Sequence, residues 1–255
     1  MGGPGASKAA RRSGTRRSLA RAAGGHDSGV RLVTPPGVFR PISDTWLLAD
    51  ALDREPLPPG ARVLDLCSGS GALAVRAALR DRRRTVTAVD VSRRAVVTIR
   101  ANAALNRVRV RARRGDLFAA VAGERFHAIV SNPPYVPAPR DALPARGLER
   151  AWDAGRDGRA LLDRTCAGAA EHLEPGGRLL LVHSSLLGVD RTLAALPGLD
   201  AAVIARERGP LGPLMRARRA HLEAQGLLHP GEDHEDVVVV RAQVPVRALL
   251  PTPAG

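Results

Sequence analysis

At 255 residues the chain has room for one ordinary domain with appendages, and its 44% hydrophobic content excludes a wholly disordered polymer. No apolar run approaches the roughly 18 residues of a membrane span, and two cysteines, Cys67 and Cys166, exclude a disulfide framework, so a cytoplasmic protein without membrane contact is expected. The formal charge of +14 rests on 39 basic residues, all arginine except Lys8, which suits an anionic partner such as RNA or a ribosome-bound target as well as it suits an arginine-rich soluble surface.

Residues 1–30 hold six basic side chains and one acid among Gly, Ala and Ser, and are expected to form a disordered basic tail. They contain no apolar stretch of the secretory kind, although an arginine-rich, acid-poor segment also fits an organelle transit peptide. The folded domain is expected over residues 31–245, with a flexible C-terminal tail at 246–255. Ser43 or Asp44 caps a first helix through Trp46, Leu47, Leu48 and Leu52, which the Pro-rich stretch 55–60 ends. Arg62–Leu66 reads as a buried strand and Ala72–Arg80 as the helix after it. Thr85–Asp90 is a second strand, and Ser92 caps the next helix. Arg107–Ala112 is a weakly patterned third strand, and Phe126–Ser131 a fourth. A helix around Ala160–Leu173 leads to a fifth strand, Arg178–His183. Ala201–Ala205 and Asp236–Arg241 supply two more, with a helix near Leu214–Ala224 between them. This alternation implies an α/β fold with a doubly wound, mostly parallel, seven-stranded sheet. In such sheets ligands lie beyond the strand carboxyl ends, where the winding reverses.

The first strand ends in Asp65-Leu66-Cys67-Ser68-Gly69-Ser70-Gly71 and runs directly into a helix. Its glycines allow a tight turn and close approach of a ligand to the backbone. Asp90 closes the second strand, where a carboxylate can accept hydrogen bonds from ribose hydroxyls. Asp116 follows the third strand, with Leu117 and Phe118 able to flank an adenine ring. Gly69, Gly71 and Ala74 also fit a dinucleotide fingerprint, but the chain has no room for a dehydrogenase's substrate domain.

Ser131-Asn132-Pro133-Pro134-Tyr135 follows the fourth strand. Consecutive prolines make a stiff turn whose carbonyls lack the usual neighbouring donors. The Asn132 side-chain carbonyl can accept one N–H of a planar NH₂ group, and the main-chain carbonyl of Asn132 or Pro133 the other. Tyr135 adds a flat face for stacking. Held this way, the nitrogen of an amide or amino group presents its lone pair to an electrophile, and orientation supplies most of the catalysis. A plain Asn-Pro turn is the structural alternative.

These residues resemble the HemK family of class I S-adenosylmethionine-dependent methyltransferases. Asp65–Gly71, Asp90, Asp116-Leu117 and Asn132–Tyr135 are similar to its successive motifs, and Trp152–Gly158 to the segment after its catalytic turn. Val38–Thr45 resembles the leading segment of the family's short branch, and Leu211-Gly212-Pro213 a stretch before its last strand. The resemblance implies a Rossmann-like fold, S-adenosylmethionine as cofactor, and the side-chain amide of a release-factor glutamine as acceptor. It places Thr45, Asp65, Cys67, Gly69, Gly71, Asp90, Asp116, Leu117 and Asn132 around the cofactor, with Asn132, Pro133 and Tyr135 at the acceptor. Asp90 would hold ribose and Asp116 adenine. Short-branch members vary in substrate and can depend on a small activating partner protein. Cys67 stands where the family usually has glycine, and Phe39-Arg40 and Ser43 where it has Tyr-Glu and Glu. Adenine N6 of RNA or DNA presents the same planar NH₂ as glutamine, so a nucleic-acid methyltransferase is the alternative, followed by a small-molecule N-methyltransferase and a non-catalytic binding module. His229, Asp233 and His234 share a polar loop and are read as incidental rather than as a metal site. His183 is read as lining the site and Cys166 as packing.

Overall fold

The computed structural model describes residues 29–145 and 147–246, so the two tails read from the sequence lie almost wholly outside the described residues. Helix α1 (Ser43–Arg54) precedes β1 (Arg62–Leu66), α2 (Ala72–Arg80), β2 (Thr85–Asp90), α3 (Arg93–Leu105), β3 (Val110–Arg114) and β4 (Phe126–Ser131). Then come α4 (Ala160–Ala169), β5 (Leu173–Ser184), α5 (Val189–Ala194), β6 (Asp200–Pro210), α6 (Pro213–Ala217), α7 (Arg219–Ala224) and β7 (His234–Gln243). The strands form a single seven-stranded sheet in the order β3-β2-β1-β4-β5-β7-β6. Pairs from β3 to β5 are parallel, and β7 runs antiparallel to both β5 and β6. Winding reverses between β1 and β4, which opens a crevice beyond their carboxyl ends.

Each face of the sheet has its own core. Leu48 and Leu52 of α1, Ala74 of α2 and Ile99 of α3 cover Val63, Val86, Ala128 and Leu180 on one side. Leu162 and Cys166 of α4 cover Leu64, Leu66, Ile129 and Leu181 on the other. Strands buried on both faces read as near-continuous apolar runs, which is why β1, β4 and the centre of β5 fell where the sequence placed them. A third cluster, Val136, Leu211, Met215, Leu222 and Leu228, joins α6 and α7 to the segment after β4.

Several expectations shift. β3 begins at Val110 rather than Arg107, because Arg107 is left-handed (φ 54°) and ends the turn after α3. β6 and β7 extend several residues beyond the apolar stretches, pairing as an antiparallel ribbon through Pro210 and His234. The helix expected at Leu214–Ala224 is two short helices broken at Arg218. Neither Ser43 nor Asp44 caps α1; Ile42 holds the cap position without a side-chain bond, and Asp44 bonds elsewhere. Ser92 does cap α3, accepting from the Ala95 amide. Among the described residues no helix is long and apolar enough to cross a membrane.

Candidate active site

A cavity of about 1150 Å³ opens beyond the carboxyl ends of β1, β2 and β4. That volume accommodates a nucleoside-sized ligand together with an acceptor side chain. Cys67, Gly69, Asp90, Asp116, Leu117, Asn132, Pro133 and Tyr135 all line it; Thr45, Asp65 and Gly71 do not.

The glycine loop shows why. Cys67, Gly69 and Gly71 are left-handed, with φ of 56°, 56° and 82°, and the Gly71 amide closes a turn on the Ser68 carbonyl. Cys67 therefore occupies a conformation that glycine adopts without the steric cost of a side chain. Asp65 is fully buried beneath the loop, accepting from Ser68 Oγ at 2.5 Å and the Ala74 amide at 3.1 Å. It pins the loop to α2 from below rather than facing the cavity. Burial pushes its carboxyl up to about 7, with the charge of Asp90 adding to the rise, and its Oδ1 has no hydrogen-bond partner among the described residues.

Asp90 faces the cavity and holds the loop from the side. Its Oδ2 accepts from the Gly69 amide at 2.9 Å and its Oδ1 from the Ser92 amide at 2.8 Å. Burial raises its pKa against the opposing effect of these bonds. Asp116 is more exposed and paired with Arg164 at 2.8 Å. Leu117, left-handed at φ 46°, turns into the cavity. Phe118, expected to flank the same ligand, instead stacks on His172 in the core at 4.4 Å between ring centroids. His183, expected to line the site, is fully buried in β5 and off the cavity.

The Asn132–Tyr135 turn is held from three directions. Asn132 Nδ2 donates to Thr45 Oγ1 at 3.1 Å, and its Oδ1 has no hydrogen-bond partner among the described residues. Tyr135 Oη donates to Asp44 Oδ2 at 2.8 Å, and Asp44 Oδ1 accepts from the Thr45 hydroxyl at 3.2 Å. Burial, followed by the charge of Asp44, raises the Tyr135 phenol well above its ordinary value, so it remains a donor. The N-terminus of α1 thus carries a continuous relay, Tyr135–Asp44–Thr45–Asn132. Behind the turn, the Val136 amide donates to the Trp152 carbonyl at 2.7 Å, and the Ala154 amide returns to Val136 at 3.1 Å. Arg218, at the break between α6 and α7, spans the Pro137 carbonyl and Asp153. Gly158 presses so closely on this arrangement that a Cβ there would lie 2.6 Å from the Tyr135 carbonyl oxygen.

Two positioning residues escaped the sequence reading. The sequence pattern assigns Asp44 to a helix cap and gives Asn102 no role. Asn102 is fully buried on α3, and its Nδ2 donates to the Ser70 carbonyl at 2.8 Å and the Val33 carbonyl at 3.0 Å. Asn106, one turn later, brackets Arg31 through its own amide. Together they fasten the leading segment over the glycine loop. Their spacing of four residues was the available signal, since it stacks two asparagines on one helix face.

Comparison with known proteins identifies the family and the fold. The family described as "Methyltransferase small domain" matches residues 29–144. A putative protein N5-glutamine methyltransferase of Methanocaldococcus jannaschii is 32% identical over 193 residues, covering 73% of this chain and 93% of that protein. A release factor glutamine methyltransferase of Gloeobacter violaceus is 34% identical over 201 residues, 70% of each chain. The crystal structure of a Pyrococcus furiosus methyltransferase superposes with a TM-score of 0.54 at 16% identity, covering 85% of this chain and 89% of that one, and speaks to the fold alone. With one relative matched over nearly its whole length, the chain belongs to the HemK family of class I S-adenosylmethionine-dependent methyltransferases, the protein-glutamine N5 type.

Proposed function

We propose that the protein methylates the side-chain amide nitrogen of a glutamine in a translation release factor. The observation that carries this reading is the Asn132 amide, whose nitrogen is engaged by Thr45 so that its oxygen is available to the cavity. An acceptor NH₂ needs such an oxygen, together with a main-chain carbonyl of Asn132 or Pro133, to keep its plane fixed. Tyr135, tethered by Asp44, offers the stacking face for the glutamine amide.

The chemistry of the lining suits the cofactor. Asp90, Asp116 and Asp44 place carboxylates along a cavity that must take a ligand with a sulfonium, an ammonium and a ribose diol. Asp90 is assigned to ribose, Asp116 and Leu117 to the adenine, and the Cys67–Gly71 turn to close backbone approach, with Asp65 and Thr45 acting from behind. The cofactor supplies an electrophilic methyl group when bound, so the protein's task is to orient the acceptor and exclude water. The relatives named for glutamine N5 and release-factor methylation support the choice of acceptor, which would also place the protein in the cytoplasm. A small activating partner belongs to the same reading and is sought by co-purification from the native cell.

The deciding experiment incubates the protein with methyl-labelled cofactor and a cell extract, then digests separately with protease and nuclease. Label released by protease and mapped to a release-factor glutamine is expected. Label released by nuclease would overturn the acceptor in favour of adenine.

A further inference from the structure

The arginine excess is not spread over the molecule. Residues 81–116, which form β2, α3, β3 and their turns, hold eleven arginines against three aspartates, a net +8 of the +9 carried by residues 31–255. From residue 117 onward sixteen arginines meet sixteen acids. A compositional preference for arginine would raise the count everywhere without withdrawing the acids from one supersecondary unit.

That unit is the open edge of the sheet, because β3 is its terminal strand. Val108, Val110 and Ala112 pack toward the α1–α2–α3 core, so the alternate positions Arg109 and Arg111 point to the opposite face and are exposed. Arg107 and Arg82 extend the charge at one end of the strand, and Arg100, Arg93 and Arg94 of α3 along its flank, all exposed. Several of these guanidiniums rest on backbone carbonyls rather than on carboxylates: Arg82 on Arg107 at 2.8 Å, Arg100 on Ala112 at 3.3 Å, Arg114 on Val91 at 3.2 Å. Such contacts orient the side chain without neutralising it and leave further N–H donors for an incoming anion. Elsewhere a larger share of arginines meet acids, as in Arg159–Asp163, Arg178–Glu55 and Arg206–Asp236, although Arg125, Arg150 and Arg216 also rest on backbone carbonyls. Within the edge, Arg83 and Arg113 are neutralised in this way, by Asp81 and Glu124. None of the six aromatic residues falls between 81 and 116, so the face offers no platform for stacking bases. Arg93, Arg94 and Arg114 also reach the rim of the cavity, which makes the charged edge continuous with its mouth.

We propose that the β2–α3–β3 edge binds the phosphate backbone of RNA without reading its bases. The preference for RNA among polyphosphates rests on the release-factor reading, since a translation factor works on the ribosome among RNA phosphates. Binding is measured without methyl transfer, so either idea can fail while the other stands.

The test uses the full chain and a fluorescent single-stranded RNA of about 20 nucleotides, titrated by anisotropy at several salt concentrations. Arg107→Gln, Arg109→Gln and Arg111→Gln combined should weaken binding about tenfold or more near physiological salt and lower the slope of log affinity against log salt by about 2, as expected for three lost phosphate contacts. None of the three lines the cavity, so cofactor affinity and methyl transfer to free acceptor should stay at wild-type level. A control combining Arg140→Gln, Arg208→Gln and Arg216→Gln removes equal charge from the balanced part of the chain and should leave RNA affinity within about twofold. Equal losses in both triple variants would overturn the proposal, because only net charge would then matter. DNA of the same sequence, or anionic vesicles, bound more tightly than RNA would overturn it as well.

Discussion

An asparagine amide can rotate to present either end, and Asn132 is useful to an acceptor NH₂ only with its oxygen facing the cavity. The Thr45 hydroxyl settles the choice by accepting from the nitrogen, and Asp44 fixes that hydroxyl while also holding Tyr135. Asn132→Ala should therefore leave melting temperature and cofactor affinity close to wild type while lowering kcat by about 10²- to 10³-fold, the usual cost of one aligned donor or acceptor in a desolvated site. Thr45→Val keeps the shape but frees the amide to turn; it should lower kcat by a smaller factor, about tenfold, with little change in cofactor affinity. If Asn132 only braces a turn, its alanine variant loses melting temperature and keeps its activity per folded molecule, and the two assays on one preparation decide between them. Asn132 and Tyr135 were legible because the Asn-Pro-Pro-Tyr run is local. Asp44 and Thr45 act on partners 91 and 87 residues away; Asp44 before an apolar helix reads most naturally as a cap, and only the family resemblance puts Thr45 near the cofactor.

Elements constrain the same site through backbone shape. Cys67 links β1 to the glycine turn at φ 56°, where an unbranched side chain is strained and a β-branched one much more so. Cys67→Val should destabilise the protein by about 1–3 kcal/mol in urea unfolding, whereas Cys67→Gly should leave stability unchanged or slightly higher. Equal losses in both would show that the thiol's packing, not the turn, sets the cost. Gly158 is the counterpart on the acceptor side. It has φ 73°, and an added Cβ would also meet Leu187 at 2.9 Å, so Gly158→Ala should push the Tyr135 backbone into the cavity. The expected result is a raised KM for the acceptor and a stability loss of about 1–3 kcal/mol, with cofactor affinity least affected, which calorimetry and steady-state kinetics on the same variant would check. Much of the sheet was legible because β1 and β4 are apolar runs ended by glycine or proline signals, and β2 is followed closely by the Ser92 cap of α3. β6 was less so, because beyond Ala205 its residues Arg206, Glu207 and Arg208 are exposed and lack an apolar period, and backbone pairing to β7 alone extends it. Nor does any periodicity announce the break at Arg218, whose side chain turns away to hold Pro137 and Asp153.

For the molecule as a whole, two fully buried ionisable groups set opposing pH dependences of stability. His183 lies in the core of β5, its Nδ1 bonded to the Ser184 carbonyl and its Nε2 without a partner among the described residues, and burial lowers its pKa to about 4. Unfolding releases it to an ordinary value near 6.5, so its contribution is intact above pH 6.5 and is lost as pH falls toward 4, by about 3 kcal/mol. Asp65 behaves in the opposite sense. Burial raises it to about 7 against about 3.8 in the unfolded chain, so the folded state is favoured while the carboxyl is protonated, and that advantage is lost as pH rises from 3.8 through 7, by about 4 kcal/mol. Between pH 4 and 6.5 the two largely cancel, while Asp90, also raised by burial, acts in the same sense as Asp65. Single substitutions uncover the components. Asp65→Asn removes the ionisation, so its stability relative to wild type should climb by about 3–4 kcal/mol between pH 4 and pH 8. His183→Asn keeps a donor for the Ser184 carbonyl but cannot be protonated, and its stability relative to wild type should instead rise as pH is lowered from 7 to 4.5. Urea unfolding of the three proteins at intervals from pH 4 to pH 8 measures both trends at once. Curves that stay parallel across that range would mean that neither group is held away from its ordinary ionisation in the folded chain, and that the glycine loop is not supported by a carboxyl that burial keeps partly neutral.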